Sequence, residues 1–256
     1  MRQCFFCSNQ ADSLEDAWPL WLTNQFKTPR ASEVHSERRG VRLKPWRVYQ
    51  PTLAVRCVCR TCNNEWMSAL EVQAQRHLQP LLMGERVSID FAAQGTIALW
   101  SLKTAMVLEA LDPSDARTYT QIERERLRSL AAIPWRSSVW LAASVDPSVF
   151  MSSKHRYFGA TTAAPSGVSV TMAFAHIVLQ VLTMRVPEDV GPSTQVTTAV
   201  RRGPWPETTV QIWPARSSQA DWPPLMGLNG EMGLDAIADR FSPATDGDDA
   251  VDVLAV

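Results

Sequence analysis

Two Cys-x-x-Cys pairs, far apart in the chain, constrain it more than any other feature. Cys4-Phe5-Phe6-Cys7 opens the frame and Cys59-Arg60-Thr61-Cys62 closes it. A frame of this spacing is the usual way to bring four thiolates round one tetrahedral zinc. Five cysteines are too few for a disulfide scaffold in 256 residues, and all of them precede residue 63, so one local site is expected. Cys57 alternates with Cys59 on one side of a strand-like run and is an alternative ligand. The Cys59/Cys62 spacing makes the better knuckle, which leaves Cys57 as a buried small hydrophobe. Phe5 and Phe6 read as packing residues around the site.

Free thiolates suit a reducing compartment, and other features agree with a soluble, cytoplasmic chain. The N-terminal residues lack the apolar core of a secretory signal. The longest apolar run, Met172 to Met184, is interrupted by His176, Gln180 and Thr183. It is also shorter than the ~20 residues of a membrane span, so no membrane is expected. Charged residues make up 20% and the net charge is −1, which excludes a polyelectrolyte binder. The charge is uneven, however. Arg38, Arg39, Arg42, Lys44 and Arg47 face a single acid, Glu37, within residues 36–47. Residues 27–50 read as a basic, proline-punctuated loop or hairpin. As a solvated surface loop it does nothing; as an arm it meets phosphates, with Trp46 and Tyr49 free to stack.

The length suggests one or two domains at ~150 residues each. Residues 1–90 read as a zinc-stapled module, 91–241 as an α+β domain, and 242–256 as an acidic, disordered tail carrying Asp246, Asp248, Asp249 and Asp252. In the first part, Trp18, Leu22 and Phe26 share a helical face after Pro19. A helix is expected from Asn63 or Asn64, as N-cap, to about Gln79, with Trp66, Leu70, Ala74 and Leu78 inward. In the second part, helices are expected over 93–111, 121–132 and 234–241. Strands are expected over 139–143, 156–162, 168–174, 176–184 and 208–213, giving an antiparallel sheet. His77 and His176 read as structural, and His155 as a solvated turn residue. There is no internal repeat, Gly-rich phosphate loop or Ser/His/Asp constellation.

Between the knuckles sits Leu14-Glu15-Asp16-Ala17-Trp18-Pro19, an acidic pair followed by proline. Taken with Cys4/Cys7, Trp21-Leu22 and Cys59-x-x-Cys62-Asn63-Asn64, it resembles the HNH endonucleases, ββα-metal nucleases often stapled by zinc. The stretch Asn63 to Glu71 adds a likeness to an uncharacterised bacterial branch. The resemblance spans about the first eighty residues. It implies an N-terminal ββα-metal module and metal-dependent cleavage of DNA or RNA. It also implies structural Zn²⁺ on Cys4, Cys7, Cys59 and Cys62, and catalytic Mg²⁺ or Mn²⁺ on Glu15 and on Asn64, or else Asn63. Asp16 stands where the family has its histidine, and would serve as an adapted base or a further metal ligand. His35 is another possible source of an imidazole. With reference pKa values of ~3.9 for aspartate and ~6.5 for histidine, an ordinary carboxylate is the weaker base. The alternative is a non-catalytic, zinc-stabilised nucleic-acid-binding or protein-interaction protein that has lost the base. In that reading Glu15 and Asp16 are turn or capping residues.

Overall fold

Alternation along the strands of the second half builds a mixed sheet clad by helices on both faces. The computed structural model describes residues 2–24, 32–38, 41–42, 46–48, 54–112, 117–146, 151–158, 166–185, 197–241 and 251–255. The chain is α+β. Its strands are β1 (Ser13–Asp16), β2 (Ser32–Arg38), β3 (Val41–Arg42), β4 (Trp46–Val48), β5 (Ala54–Val58), β6 (Val87–Asp90) and β7 (Ser137–Ala143). The later strands are β8 (Met151–Phe158), β9 (Ser166–Phe174), β10 (Ile177–Arg185), β11 (Thr197–Arg201), β12 (Thr209–Trp213), β13 (Gln219–Trp222) and β14 (Val251–Ala255). The helices are α1 (Leu20–Asn24), α2 (Arg60–Cys62), α3 (Ser68–Leu82), α4 (Phe91–Leu108), α5 (Gln121–Leu130), α6 (Trp205–Thr208) and α7 (Gly230–Asp239).

The main sheet runs β12-β7-β10-β9-β8-β2-β3, with β4 also on β2. All its pairings are antiparallel except β2 with β8, which is parallel. Of the loop or hairpin expected over 27–50, the hairpin is present, as β2 paired antiparallel with β3, and the loop alternative is corrected. Residues 32–48 contribute three strands to one side of the sheet, and Arg42 and Arg47 stand in register opposite Glu37 and Glu33. The sequence hides this because the partner strand, β8, lies more than a hundred residues away. Phe26, Arg39, Lys44 and Tyr49 lie outside the described residues.

Helix α4 is apolar nearly all round and covers one face, as a helix without a polar side must. Asp90 caps it, accepting a hydrogen bond from Ala93 N at 2.8 Å. A Thr120/Glu123 capping box starts α5. The other face carries α7, held by polar contacts that strand alternation sets up. Lys154 and Arg156 point to α7, where Glu231, Asp235 and Asp239 form a stripe four residues apart. Lys154 meets Glu231 and Asp235, and Arg156 meets Asp239.

His155, between these two, points the other way. It is fully buried, with Nδ1 2.7 Å from Asp112 Oδ2, and Tyr157 donates to the same oxygen at 2.7 Å. This corrects its expected place in a solvated turn. His176 occupies the turn between β9 and β10 rather than a strand, its Nδ1 donating to Ser144 O at 3.1 Å. Beyond the acidic residues 246–249, which lie outside the described residues, β14 pairs antiparallel with β11.

The first ninety residues pack into the same core as the sheet. Trp18 meets Phe174 edge-on at 5.2 Å, and Trp21 and Trp100 are 6.3 Å apart. Strand β6 pairs with β13. No helix among the described residues is long and apolar enough to cross a membrane.

Candidate metal centre and acidic cleft

Strands β1 and β5 pair antiparallel, and a continuous helical stretch follows at once. That stretch starts with α2, passes through a π-helical turn over Asn63–Met67 and continues as α3. Its N-cap is Cys59, whose sulfur accepts from Cys62 N, rather than Asn63 or Asn64. The knuckle itself therefore starts the helix. The helix also runs past Pro80 to Leu82. Proline lacks one N–H, but Leu81 and Leu82 are buried and hold the last turn in place.

The four frame cysteines converge. Cys4, Cys7, Cys59 and Cys62 are all buried, with sulfurs within 4.8 Å of one another. Cys7 Sγ lies 3.6 Å from both Cys59 Sγ and Cys62 Sγ. This is far beyond the ~2.05 Å of a disulfide. It is close to the spacing of about 3.8 Å that four sulfurs adopt at ~2.3 Å from one tetrahedral zinc. Backbone amides aim at the sulfurs as thiolates require. Phe6 N and Cys59 N donate to Cys4 Sγ at 3.4 and 3.2 Å, and Cys62 N donates to Cys59 Sγ at 3.4 Å. Burial pushes the Cys59 thiol up, but the Cys62 amide and the neighbouring thiols outweigh it and bring it down to about 7. The cluster is thus suited to a structural metal ion such as zinc.

Cys57 lies outside this cluster, fully buried, its thiol pushed up to about 12 by burial and by nearby Glu15. Phe5 and Phe6 do pack around the frame. Arg117 and Arg124 sit over the Phe5 ring at 5.0 and 4.3 Å, and Phe6 meets Trp66 at 5.0 Å. Gln121, at the start of α5, donates to the carbonyls of Cys4 and Cys7.

Beside the frame, residues from two distant stretches line one cleft of about 370 Å³. Glu15 and Asp16 come from β1, Asn63 and Asn64 from the π-helical turn, and Glu71 from α3. A π-helical turn shifts the side chains that follow it round the helix and is frequent at functional sites. The two asparagines separate in role. Asn63 Nδ2 donates to Ser13 Oγ at 3.0 Å and to Leu14 O at 2.8 Å, tying the helix to β1. Asn64 is exposed on the cleft wall.

One partner was not foreseen. Lys103 of α4 is buried, and its Nζ lies 2.7 Å from Glu71 Oε1 and 3.4 Å from Glu15 Oε1. Its signal in the sequence is plain afterwards, because it is the only charged residue in α4. One ammonium serves two carboxylates, with Asp16 close by. Burial pushes the Glu15 carboxyl up; Lys103 opposes this, Glu71 and Asp16 add to it, and the result is about 7. Asp16 is raised too, by burial first and by Glu71 second.

Among the described residues, the four cysteines are the one group of three or more Cys, His, Asp or Glu side chains gathered closely enough to share an ion. Glu15, Asp16 and Asn64 offer the hard oxygens that Mg²⁺ or Mn²⁺ prefers, but Lys103 already pairs with Glu15 and with the neighbouring Glu71. Of the basic stretch, Arg38, Arg42 and Arg47 lie on β2, β3 and β4, as do His35 on β2 and Trp46 on β4, away in sequence from the cleft walls. Compared with family models, curated proteins and solved structures, the chain matches none.

Proposed function

We propose that this chain is a metal-dependent endonuclease of HNH-like type, hydrolysing phosphodiester bonds of DNA or RNA at the cleft beside its cysteine frame. The observation that supports this most is the meeting of Glu15, Asp16, Asn64 and Glu71 in one cleft next to four clustered thiols. The pairing of β1 with β5, with the helical stretch directly after β5, supports a ββα reading of this module. Zinc on Cys4, Cys7, Cys59 and Cys62 keeps the module folded. A divalent ion on Glu15 and Asn64, when bound, supplies charge neutralisation at the phosphate.

Asp16 is the base of this reading. Its carboxyl is half-buried and raised by burial and by Glu71, which moves it towards the working pH and makes it a better proton acceptor than a solvated aspartate. Glu15 lies deeper, next to Lys103, and positions rather than attacks.

A specific observation favours a second reading, a zinc-stabilised nucleic-acid-binding protein without catalysis. Lys103 already supplies a cation to Glu15 and Glu71, where a divalent ion would have to compete. Plasmid nicking with Mg²⁺ or Mn²⁺ by wild type, Glu15→Ala, Asp16→Ala and Asp16→His, at matched zinc content, separates the two. Catalysis predicts cleavage by wild type that falls by about 10²–10⁴ in Asp16→Ala. Cleavage that survives Glu15→Ala sinks the assignment of Glu15. Silence of wild type selects the second reading.

A further inference from the structure

On the opposite face of the sheet from α4, Arg240 is buried at 2% exposure between aromatic rings. Its guanidinium carbon lies 4.5 Å from the Trp140 ring centroid, 4.5 Å from Phe241 and 5.6 Å from Trp205. These rings attract the faces of the cation but accept no hydrogen bond at its edge. Nη1 reaches Thr209 Oγ1 at 3.4 Å. Nε and Nη2 are shielded from solvent and meet no acceptor among the described residues.

Other arginines packed into the fold differ. Arg124 pairs with Glu109, and Arg156 and Arg185 with Asp239 and Glu123. Among the described residues no carboxylate pairs with Arg240. Burial lowers its pKa to about 9. A buried cation without an anion is costly, and Nε with Nη2 is the fork that a carboxylate or phosphate takes with two parallel hydrogen bonds.

Arg240 also lines a cleft of about 310 Å³, together with Trp140, Trp205, Thr209, Phe241 and the exposed Arg216. The walls are mainly apolar and include the three aromatic rings of Trp140, Trp205 and Phe241. The volume is at the small end of ligand sites, which run from about 300 Å³ upwards. It suits a small molecule rather than a polymer strand.

We propose that this cleft binds a small aromatic oxyanion, a ring bearing a carboxylate or phosphate, with the oxyanion on Arg240 and the ring against Trp205. Nothing in this site depends on the acidic cleft or the cysteine frame.

Calorimetric titration of the full chain with benzoate, phenyl phosphate, inorganic phosphate and benzamide tests this. Expected is saturable binding of benzoate, phenyl phosphate or both, with benzamide, the neutral isostere of benzoate, much weaker. The ranking of benzoate against phenyl phosphate shows which oxyanion the fork prefers. Arg240→Met removes the fork and keeps the length, and should weaken anion binding about ten- to a hundredfold. Trp205→Ala should weaken the ring-bearing anions more than inorganic phosphate, and it serves if Arg240→Met does not fold. Three results would overturn the proposal: no saturable binding of either aromatic anion to wild type, equal binding of benzamide and benzoate, or affinities unchanged by both substitutions.

Discussion

Nζ of Lys103, on the helix that covers the sheet, lies 3.4 Å from Oε1 of Glu15, on the strand beside the cysteine frame. The two residues are 88 positions apart and both are almost wholly buried. With Glu71 at 2.7 Å from the same ammonium, the contact joins β1, α3 and α4 at the floor of the acidic cleft. It is a buried polar tie between the N-terminal module and the larger α+β part, beside the hydrogen bonds from Gln121 to the Cys4 and Cys7 carbonyls.

That geometry predicts a large, one-sided effect of removing the cation. Lys103→Met keeps the volume but leaves Glu15 and Glu71 without a counter-charge, and breaking a buried pair in this way costs about 3–5 kcal/mol. Adding Glu15→Gln to Lys103→Met should recover part of the loss, because one orphaned carboxyl is then neutral. Urea unfolding of the two single variants and the double variant measures this coupling. Strict additivity would show that the 3.4 Å contact carries no energy of its own.

The raised Glu15 carboxyl gives stability a pH dependence of definite sign. Its folded value, about 7, stands above its ordinary value of 4.5. Between those limits the folded state holds a proton that the unfolded state has released. Stability is therefore greatest below the ordinary value and falls as pH rises towards 7, by about 3 kcal/mol at most. Asp16, also raised, adds in the same direction; Lys103 is raised and stays charged throughout. In Glu15→Gln the fall should be much shallower. Unfolding free energies of wild type and Glu15→Gln from about pH 5 to about pH 8 check it, the difference between them removing the contribution of the thiols. A slope of the same size in both would assign the effect elsewhere.

How much of this was legible depended on how local each cause was. The cysteine frame was readable because two short spacings specify it. The helices α4 and α5 were readable from apolar pattern. Strand β8 starts before the expected Arg156, because Met151 to His155 looks polar; Lys154 is neutralised by acids on α7, which no local pattern reveals. The strand β2 was hidden among arginines and prolines because its pairing with β8 is long-range. Lys103 escaped for a related reason: a lone charge in an apolar stretch signals a partner or a ligand but does not say which, while Arg240 follows Asp239 directly and looks locally paired.

For the basic stretch, the nuclease and binding readings make a common prediction. Replacing Arg38, Arg42 and Arg47 with alanine should weaken nucleic-acid binding about equally across sequences. It should also flatten the dependence of log affinity on log salt, by about 0.9 for each duplex phosphate no longer neutralised. Fluorescence anisotropy over a salt series reads both. An unchanged slope would remove these residues from the interface and favour a protein-interaction role.

The thiol cluster makes the most direct prediction, about one zinc per chain. The four sulfurs close a tetrahedral set with no place left for solvent chemistry, so the ion is structural. Cys4→Ser or Cys62→Ser should lose it. Because α2 starts on Cys59 and Gln121 of α5 donates to the carbonyls of Cys4 and Cys7, the loss should loosen more than the knuckles. It should free the first turn of the helix, the Phe6–Trp66 contact and the seat of α5. Cys57→Ser should keep the metal while losing some stability, since it places a hydroxyl in a fully buried position outside the cluster; an unpaired buried hydroxyl costs about 1–3 kcal/mol. Metal content by mass spectrometry and hydrogen exchange of residues 54–82 and 121–130 give the two readouts. Retention of zinc in Cys62→Ser with loss in Cys57→Ser would exchange their roles. Full zinc loss with protection unchanged in both segments would show that the ion does not hold this part of the fold.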